Sequence, residues 1–425
     1  MPNRTKAPAL QEIKNIPLHE FDLHELKNGL PVYQINKGTQ DILKLELNFL
    51  AGRWFETHKL SSRTTARQLR EGTHRLSAQA IAEQIDYYGG SLRSNANLDT
   101  SSITLYCLRK HLPKILPIVT DLLVNPTFPE TELDTFKRLQ SQRLKVDMSK
   151  NDIITYREIT QFFYGQNHPY GYNSSPEMYD QIALSELKQF HQDFYHAGNC
   201  KIFLSGKTDT QTIQLLNDHL GQSMTKKSVI KMDHQILSQQ EKKQFIKRPG
   251  SVQSAIRIGR RAISKDHPEF PGFYILNAIL GGYFGSRLMT NIREEKGYTY
   301  GIYSAIDTML QDAYFYISTE VACEVTDATL KEIYHELSRL REDLIPQAEI
   351  DRVRNYLTGM LLTSLDGPFN MADVLKTLVL EDLDKAYIDK LLGTLRTITP
   401  QTLRDLAQKY LQEEDLYEVI VGLRA

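Results

Sequence analysis

The sequence predicts an α+β fold made of two similar layered domains. With 425 residues, the chain exceeds the size of one ordinary hydrophobic core, so two or more domains are expected. A weak internal repeat at about half the chain length indicates that one domain was duplicated. Within each half, strand-like and helix-like patterns alternate, which favours sheets covered by helices over a series of hairpins.

The repeat is visible where a strand-like run leads into a helix and then into a proline. The first half reads NANLDTSSITLYC and, after the proline, ETELDTFKRLQ, whereas the second reads SAIDTMLQDAYFYIS and QAEIDRVRNYL. In this pairing Asp99 corresponds to Asp307, and Glu132–Asp134 corresponds to Glu349–Asp351. The two landmarks lie farther apart in the second half, so we expect that copy to have a longer middle.

The first half shows its elements most clearly. The runs Ile42–Leu50 and Ser102–Leu108 show the alternation of half-buried strands. Ser77 can cap a helix that Gly89 can end. Two longer helices are predicted at Leu112–Leu123 and Thr131–Met148.

A polar stretch between about Gly221 and Gly250 separates the two copies. It contains a Lys-Lys pair, the run QQEKK and a Pro-Gly dipeptide, which together are typical of a linker. We therefore predict a first domain at residues 1–225, a linker at 226–249 and a second domain at 250–425.

Composition argues against several functional classes. The net charge is −1, so nothing global favours binding to nucleic acid or to an anionic membrane. No apolar stretch approaches the ~20 residues that a membrane helix needs, and the N-terminal residues lack the apolar core of a secretory signal. The three cysteines are far apart and odd in number, which predicts reduced core thiols. The expected location is therefore cytoplasmic.

Several motifs resemble the pitrilysin/insulinase family of zinc peptidases. These are AGRWFE at residues 51–56, Gly-Thr at 72–73 followed by an amphipathic run to a Gly-Gly stop, and NHPYG at 167–171. The resemblance spans nearly the whole chain, from Leu26 to Gly422. It implies two domains, each pairing a mostly antiparallel sheet with a helical layer, that close like a clamshell.

The zinc motif of that family is missing from this chain. The family carries His-x-x-Glu-His, in which the histidines bind Zn²⁺ and the glutamate is the general base. Counting back from the Gly-Thr pair, these positions fall on Arg63, Ala66 and Arg67. Arginine has no lone pair for a metal, and alanine cannot move a proton. The third ligand should be a later glutamate, but Leu133–Arg157 contains none, and Gln142 is nearest to its place. We therefore expect this chain to bind no metal and to cleave no peptide on its own.

The second half keeps a segment that the family uses for substrate. It reads GGYFGSRLMTNIREEKGYTYGIYSA and resembles the C-terminal substrate-binding segment, in which an Arg and a Tyr face the active site of the opposing domain. The resemblance assigns these roles to Arg293 and Tyr300. A guanidinium and a phenol can both donate to a peptide carbonyl or to the oxyanion that forms from it. Alternatively, Arg293 pairs with Glu294 or Glu295, and Tyr300 packs at the start of a strand.

Three functions remain open. The leading interpretation is a non-catalytic subunit of a heterodimeric zinc peptidase, similar to the zinc-less partner of paired bacterial enzymes found in Gram-positive species. A sister chain would then bring the zinc and the base, while this chain would grip the peptide substrate; in isolation it can also form a homodimer. The second interpretation is a scaffold or assembly protein, and the third is a peptide-binding module that acts alone.

Overall fold

The described residues form two β-sheets, each covered by helices, and this arrangement confirms the predicted α+β class. The computed structural model describes residues 20–237 and 241–424. The strands of the first sheet are β1 Asp22–Glu25, β2 Pro31–Asn36, β3 Ile42–Phe49, β4 Ser91–Ala96, β5 Ser101–Leu108 and β6 Cys200–Gly206. The strands of the second sheet are β7 Lys243–Lys247, β8 Gln253–Ala262, β9 Ile302–Thr308, β10 Ala313–Ala322 and β11 Tyr417–Gly422.

Both sheets are mostly antiparallel. The first has the order β1-β2-β6-β3-β5-β4, and its only parallel pair among the described strands is β2 with β6. The second has the order β7-β11-β8-β10-β9, and its only described parallel pair is β7 with β11. Strands β4 and β9 are therefore equivalent edges of the two sheets.

Helices fill the connections between the strands. In the first half they are α1 Ser61–Gln68, α2 Ala78–Tyr87, α3 Leu112–Val124, α4 Glu130–Asp147, α5 Asn151–Tyr164, α6 Pro176–Asp180, α7 Leu184–Phe194 and α8 Thr210–Leu216. In the second half they are α9 Phe270–Asn277, α10 Thr326–Glu342, α11 Gln347–Ser364, α12 Gly367–Leu380, α13 Lys385–Thr397 and α14 Pro400–Tyr410. No helix in the described ranges is both long enough and apolar enough to span a membrane.

The elements predicted in the first half are confirmed. Strands β3 and β5 match the two alternating runs, and helices α3 and α4 match the two longer helices within two residues at each end. The side chain of Ser77 accepts a hydrogen bond from the Ala80 backbone and so caps α2. Gly89 follows that helix with a φ of +63°, the left-handed conformation that glycine adopts readily.

The internal repeat extends to matching elements in the two halves, but one predicted pairing is wrong. Pro129 and Pro346 directly precede the matching helices α4 and α11. The hairpins β4–β5 and β9–β10 both have four-residue loops, and Asp99 is the third residue of its loop. The matching loop position in the second half is Gln311, whereas Asp307 lies within β9. The equivalent residues are set by the strand register, which the similarity between the two sequences does not reveal.

Each sheet is covered in part by a helix from the other half of the chain. Helix α5 packs on β8 and β11 of the second sheet, where Phe163 lies 5.6 Å from the ring of Tyr417. Helix α12 packs on β2 and β6 of the first sheet, where Leu375 joins a buried cluster with Ile35 and Phe203. The two halves therefore share buried apolar contacts in both directions.

The predicted linker is partly structured. Residues 243–247 form strand β7, which pairs in parallel with β11, so this part of the 226–249 linker belongs to the second sheet. Its sequence, KQFIK, has two adjacent apolar residues between polar ones and shows no strand-like alternation, so these residues carried no signal for this strand. Residues 1–19 and 238–240, which belong to the predicted first domain and linker, lie outside the described residues.

Candidate functional site

Helix α1 carries the three positions where the family resemblance places the zinc ligands and the base. Its start is held by Glu56, whose carboxylate oxygens accept hydrogen bonds from the backbone N–H groups of Leu60 and Ser62 at 3.1 Å each. The hydroxyl of Tyr172 donates a third bond to the same carboxylate at 2.5 Å. Glu56 therefore satisfies donors that the first turn of a helix leaves free.

The surroundings of Glu56 raise the pKa of its carboxyl group. Burial raises the pKa of this carboxyl to about 7, although the hydrogen bond from Tyr172 and the nearby charge of Arg53 oppose that shift. Because all three hydrogen bonds hold its oxygens in place, Glu56 acts as a cap for α1. It does not take the position of the missing general base.

The three zinc-motif positions lie in two different environments. Arg63 and Arg67 are exposed one helical turn apart, and Ala66 is buried. The Nη2 atom of Arg63 donates to the side-chain oxygen of Gln140 at 3.2 Å. The structure thus places Gln140 of α4, and not the exposed Gln142, opposite the degenerate motif. Two residues turn a helix by about 200°, so the two glutamine side chains leave α4 on nearly opposite sides.

A cavity of about 530 Å³ opens beside these residues. It lies between α1, strand β4 with its following loop, and α4. Its charged lining consists of Arg53, Arg63, Arg67, Arg143 and the single carboxylate of Glu56. The remaining lining residues are Leu60, Ser62, Ser94, Asn95, Ala96, Asn97, Leu98, Phe136, Gln140, Tyr172 and Ser174.

These residues do not fit zinc. Protein zinc sites use thiolate, imidazole or carboxylate donors, and the degenerate positions offer guanidinium, methyl and amide groups. Across residues 20–237 and 241–424, no three or more His, Cys, Asp or Glu residues are grouped so that they could hold a metal ion. The cationic lining would also repel a divalent cation.

The segment that resembles the substrate-binding segment of the family lies in the second half. Arg293 belongs to the π-helical turn Met289–Glu295, and its guanidinium carbon lies 4.6 Å from the centroid of the Phe284 ring. The part of the chain that is described contains no ion pair from Arg293 to Glu294 or Glu295, which was the alternative prediction.

Tyr300 does not occupy the expected strand position. It lies in the loop before β9, two residues ahead of Ile302, and its side chain is 95% exposed. It therefore does not pack at the start of the strand. Neither Arg293 nor Tyr300 lines the cavity beside α1. Their predicted position facing an active site therefore remains a prediction.

Sequence reasoning did not single out Arg53, Tyr172, Gln140 or Arg143, which line the cavity together with Arg63 and Arg67. Arg53 stands inside the quoted AGRWFE motif, and Tyr172 follows the NHPYG motif by one residue, so both had a local signal. Gln140 and Arg143 had none, because their places depend on which face of α4 turns towards α1.

Matches to models of known protein families identify the family of this chain. A model of the insulinase peptidases (family M16) matches residues 38–168, and a model of the M16 inactive domain matches residues 181–357. The chain belongs to the insulinase family of peptidases. The inactive-domain match contains both Arg293 and Tyr300.

Relatives within the family share modest sequence identity but most of their length. The chain is 22% identical over 347 residues to a Bacillus subtilis protein named uncharacterized zinc protease YmxG, covering 81% of this chain and 84% of that protein. It is 25% identical over 302 residues to the non-peptidase homolog YmxG of Helicobacter pylori, covering 69% and 68%. The crystal structure of an M16 inactive domain from Pseudomonas fluorescens superposes with a TM-score of 0.88 at 23% identity, covering 96% of this chain and 99% of that one. This last similarity supports the fold alone.

Proposed function

We propose that the chain is a non-catalytic subunit of a heterodimeric zinc peptidase. It grips the peptide substrate and supplies Arg293 and Tyr300 to a sister chain that brings the zinc and the base. The proposal is supported by a contrast between the halves. Helix α1 presents Arg63, Ala66 and Arg67 where ligands and base would stand, while the second half matches the M16 inactive domain and keeps a sequence that resembles the substrate-binding segment of the family. A bacterial cytoplasmic location is part of the same proposal.

The surface around the substrate-binding segment supports a partner or substrate there. Tyr300, Phe284 and Tyr303 are 95%, 62% and 46% exposed, and Arg293 stacks on Phe284. Exposed aromatic rings and arginine are enriched where proteins bind one another or bind peptides. The half-buried guanidinium of Arg293 and the exposed phenol of Tyr300 can both donate to a carbonyl oxygen supplied from outside this chain.

The two alternative functions make different demands on these residues. A scaffold or assembly protein needs neither the guanidinium of Arg293 nor the hydroxyl of Tyr300. A stand-alone peptide-binding module needs both for affinity but requires no sister chain.

The test is turnover by the assembled pair carrying Arg293→Ala or Tyr300→Phe. Loss of one donor to a developing oxyanion costs about 2.7–4 kcal/mol, so turnover should fall roughly 100- to 1000-fold in each variant. Arg138→Ala and Tyr87→Phe are matched controls, because both residues are exposed and neither lies in the substrate-binding segment. Unchanged turnover in both test variants would favour the scaffold function.

A further inference from the structure

We propose that the cavity beside α1 is an oxyanion-binding site that takes a carboxylate of the peptide ligand, either an acidic side chain or a free C-terminus. The inference rests on the proposed peptide-binding function and names the ligand chemistry of a second contact. In place of a metal, the zinc-motif helix would then offer positive charge to an anionic group.

The charge of the lining is strongly unbalanced. Four guanidinium groups face one carboxylate around about 530 Å³, and that carboxylate, Glu56, is already held by two backbone N–H groups and by Tyr172. Arg143 has only a long contact with Asp147, at 4.0 Å. The remaining three arginines have no ion pair within the described residues. An anion is the missing component of this charge distribution.

Arg53 provides a second, independent observation. Its guanidinium carbon lies over the Tyr172 ring, 3.3 Å from the centroid. Its Nε and Nη2 atoms are buried without a hydrogen-bond partner in the described part of the chain. A buried donor without an acceptor costs roughly 1–3 kcal/mol, and more when it is charged. Because Arg53 also lines the cavity, a ligand oxygen that reached these atoms would relieve that cost.

Arg63 and Arg67 form the opposite wall. They stand four residues apart on α1, where like charges destabilise a helix, and the described hydrogen bond of Arg63 goes to the neutral Gln140. The planar fork of arginine matches the two oxygens of a carboxylate. The cavity volume also lies within the range of small-ligand sites, so it can admit one side chain or a chain end.

The proposal is tested by calorimetry, which measures the binding of short peptides to the full chain in the absence of any sister chain. The probes are a tetrapeptide with blocked ends and one Glu, the same peptide with Gln, and the Gln peptide with a free C-terminal carboxylate. Inorganic phosphate is the fourth probe. We expect the Glu peptide, the free-carboxylate peptide or both to bind, the blocked Gln peptide not to bind, and affinity to fall as salt increases.

The double substitution Arg63→Gln and Arg67→Gln identifies the site. It should weaken carboxylate binding by about tenfold or more, because charge-assisted hydrogen bonds are lost, while both exposed positions tolerate Gln. Arg138→Gln, an exposed position on α4 outside the cavity, should leave affinity unchanged. Melting temperatures of all variants show whether they remain folded.

Three outcomes would overturn the proposal. They are no binding of either carboxylate peptide at millimolar concentration, equal affinity in the double variant, or binding of phosphate alone. Because the assay uses the isolated chain, its failure would leave the heterodimer and the roles of Arg293 and Tyr300 untouched. Conversely, loss of the heterodimer would leave carboxylate binding measurable.

Discussion

At the scale of single residues, Glu56 shows how the degenerate motif is kept in place. In this chain the carboxylate caps α1 and accepts a hydrogen bond from the hydroxyl of Tyr172, so it orders the first turn of the helix. Arg53 lies over the same tyrosine ring, and its Nε and Nη2 atoms are buried without a hydrogen-bond partner among the described residues. Guanidinium and methyl groups therefore stand where the family has its metal ligands and base, while the helix that presents these positions remains.

The pKa of Glu56 gives a pH-dependent prediction. Since its folded-state pKa is about 7 and its ordinary value is 4.5, the folded state binds the proton more tightly than the unfolded state. The contribution of protonated Glu56 to the stability of the folded state is complete below pH 4.5 and is lost as pH rises towards 7. The free energy of unfolding of the wild type, measured relative to Glu56→Gln, should fall by on the order of 1–3 kcal/mol between pH 4.5 and 7.5.

Urea unfolding of both proteins at several pH values checks this difference and cancels the titration of other groups. A wild type that gains stability over Glu56→Gln as pH rises would mean that the helix start and Arg53 stabilise the charged form more than burial opposes it.

At the scale of elements, helices α5 and α12 each pack on the sheet of the other half and so make the two halves interdependent. Phe163 of α5 is fully buried against Tyr314 and Tyr417 of the second sheet, although α5 belongs to the first half. Helix α12 of the second half also forms an ion pair with the first sheet. The Nζ atom of Lys376 lies 2.8 Å from the Oε1 atom of Glu46 in β3. Each half therefore contributes an element to the core of the other.

This packing predicts cooperative unfolding. Phe163→Ala should cost about 3–5 kcal/mol, the usual loss for a large buried ring, and should destabilise both halves together. Trp54, the only tryptophan, reports on the first half by fluorescence, and far-ultraviolet circular dichroism reports on the whole chain. We expect both transitions to coincide and to shift together, whereas Phe284→Ala, at an exposed ring, should shift neither by more than about 0.5 kcal/mol. Two separate transitions would contradict the shared core.

The sequence predicted local elements well and tertiary placements poorly. Ser77, Gly89 and the alternation in β3 and β5 carry their structure in neighbouring residues, so these elements could be predicted. Strand β7 was hidden among charges, because only its parallel pairing with β11 shows that its residues form an edge strand. The choice between Gln140 and Gln142 depended on how α4 rotates against α1, and nothing local to the sequence fixes that rotation.

At the scale of the whole molecule, loss of the zinc site is expected to be difficult to reverse. The triple substitution Arg63→His, Ala66→Glu and Arg67→His would restore the motif but leave an amide, Gln140, beside it on α4, where we expect the third ligand. Elemental analysis should find no stoichiometric zinc in this variant, because structural and catalytic zinc sites need at least three good donors.

Adding Gln140→Glu to that triple variant should raise the zinc content towards one ion per chain. Adding Gln142→Glu instead is the matched control and should not, because Gln142 is exposed on another side of α4. Zinc binding by the Gln142 variant alone would show that the cavity geometry has been assigned incorrectly.

Reconstitution with a sister chain tests the central claim most directly. The chain and a family member with an intact His-x-x-Glu-His motif are purified separately and mixed, and size, zinc per chain and chelator-sensitive peptide cleavage are measured for each chain and for the mixture. The account predicts a stable complex, zinc in the sister alone, and cleavage that requires both chains. Robust chelator-sensitive cleavage by this chain alone, or full activity of the sister without it, would contradict the account.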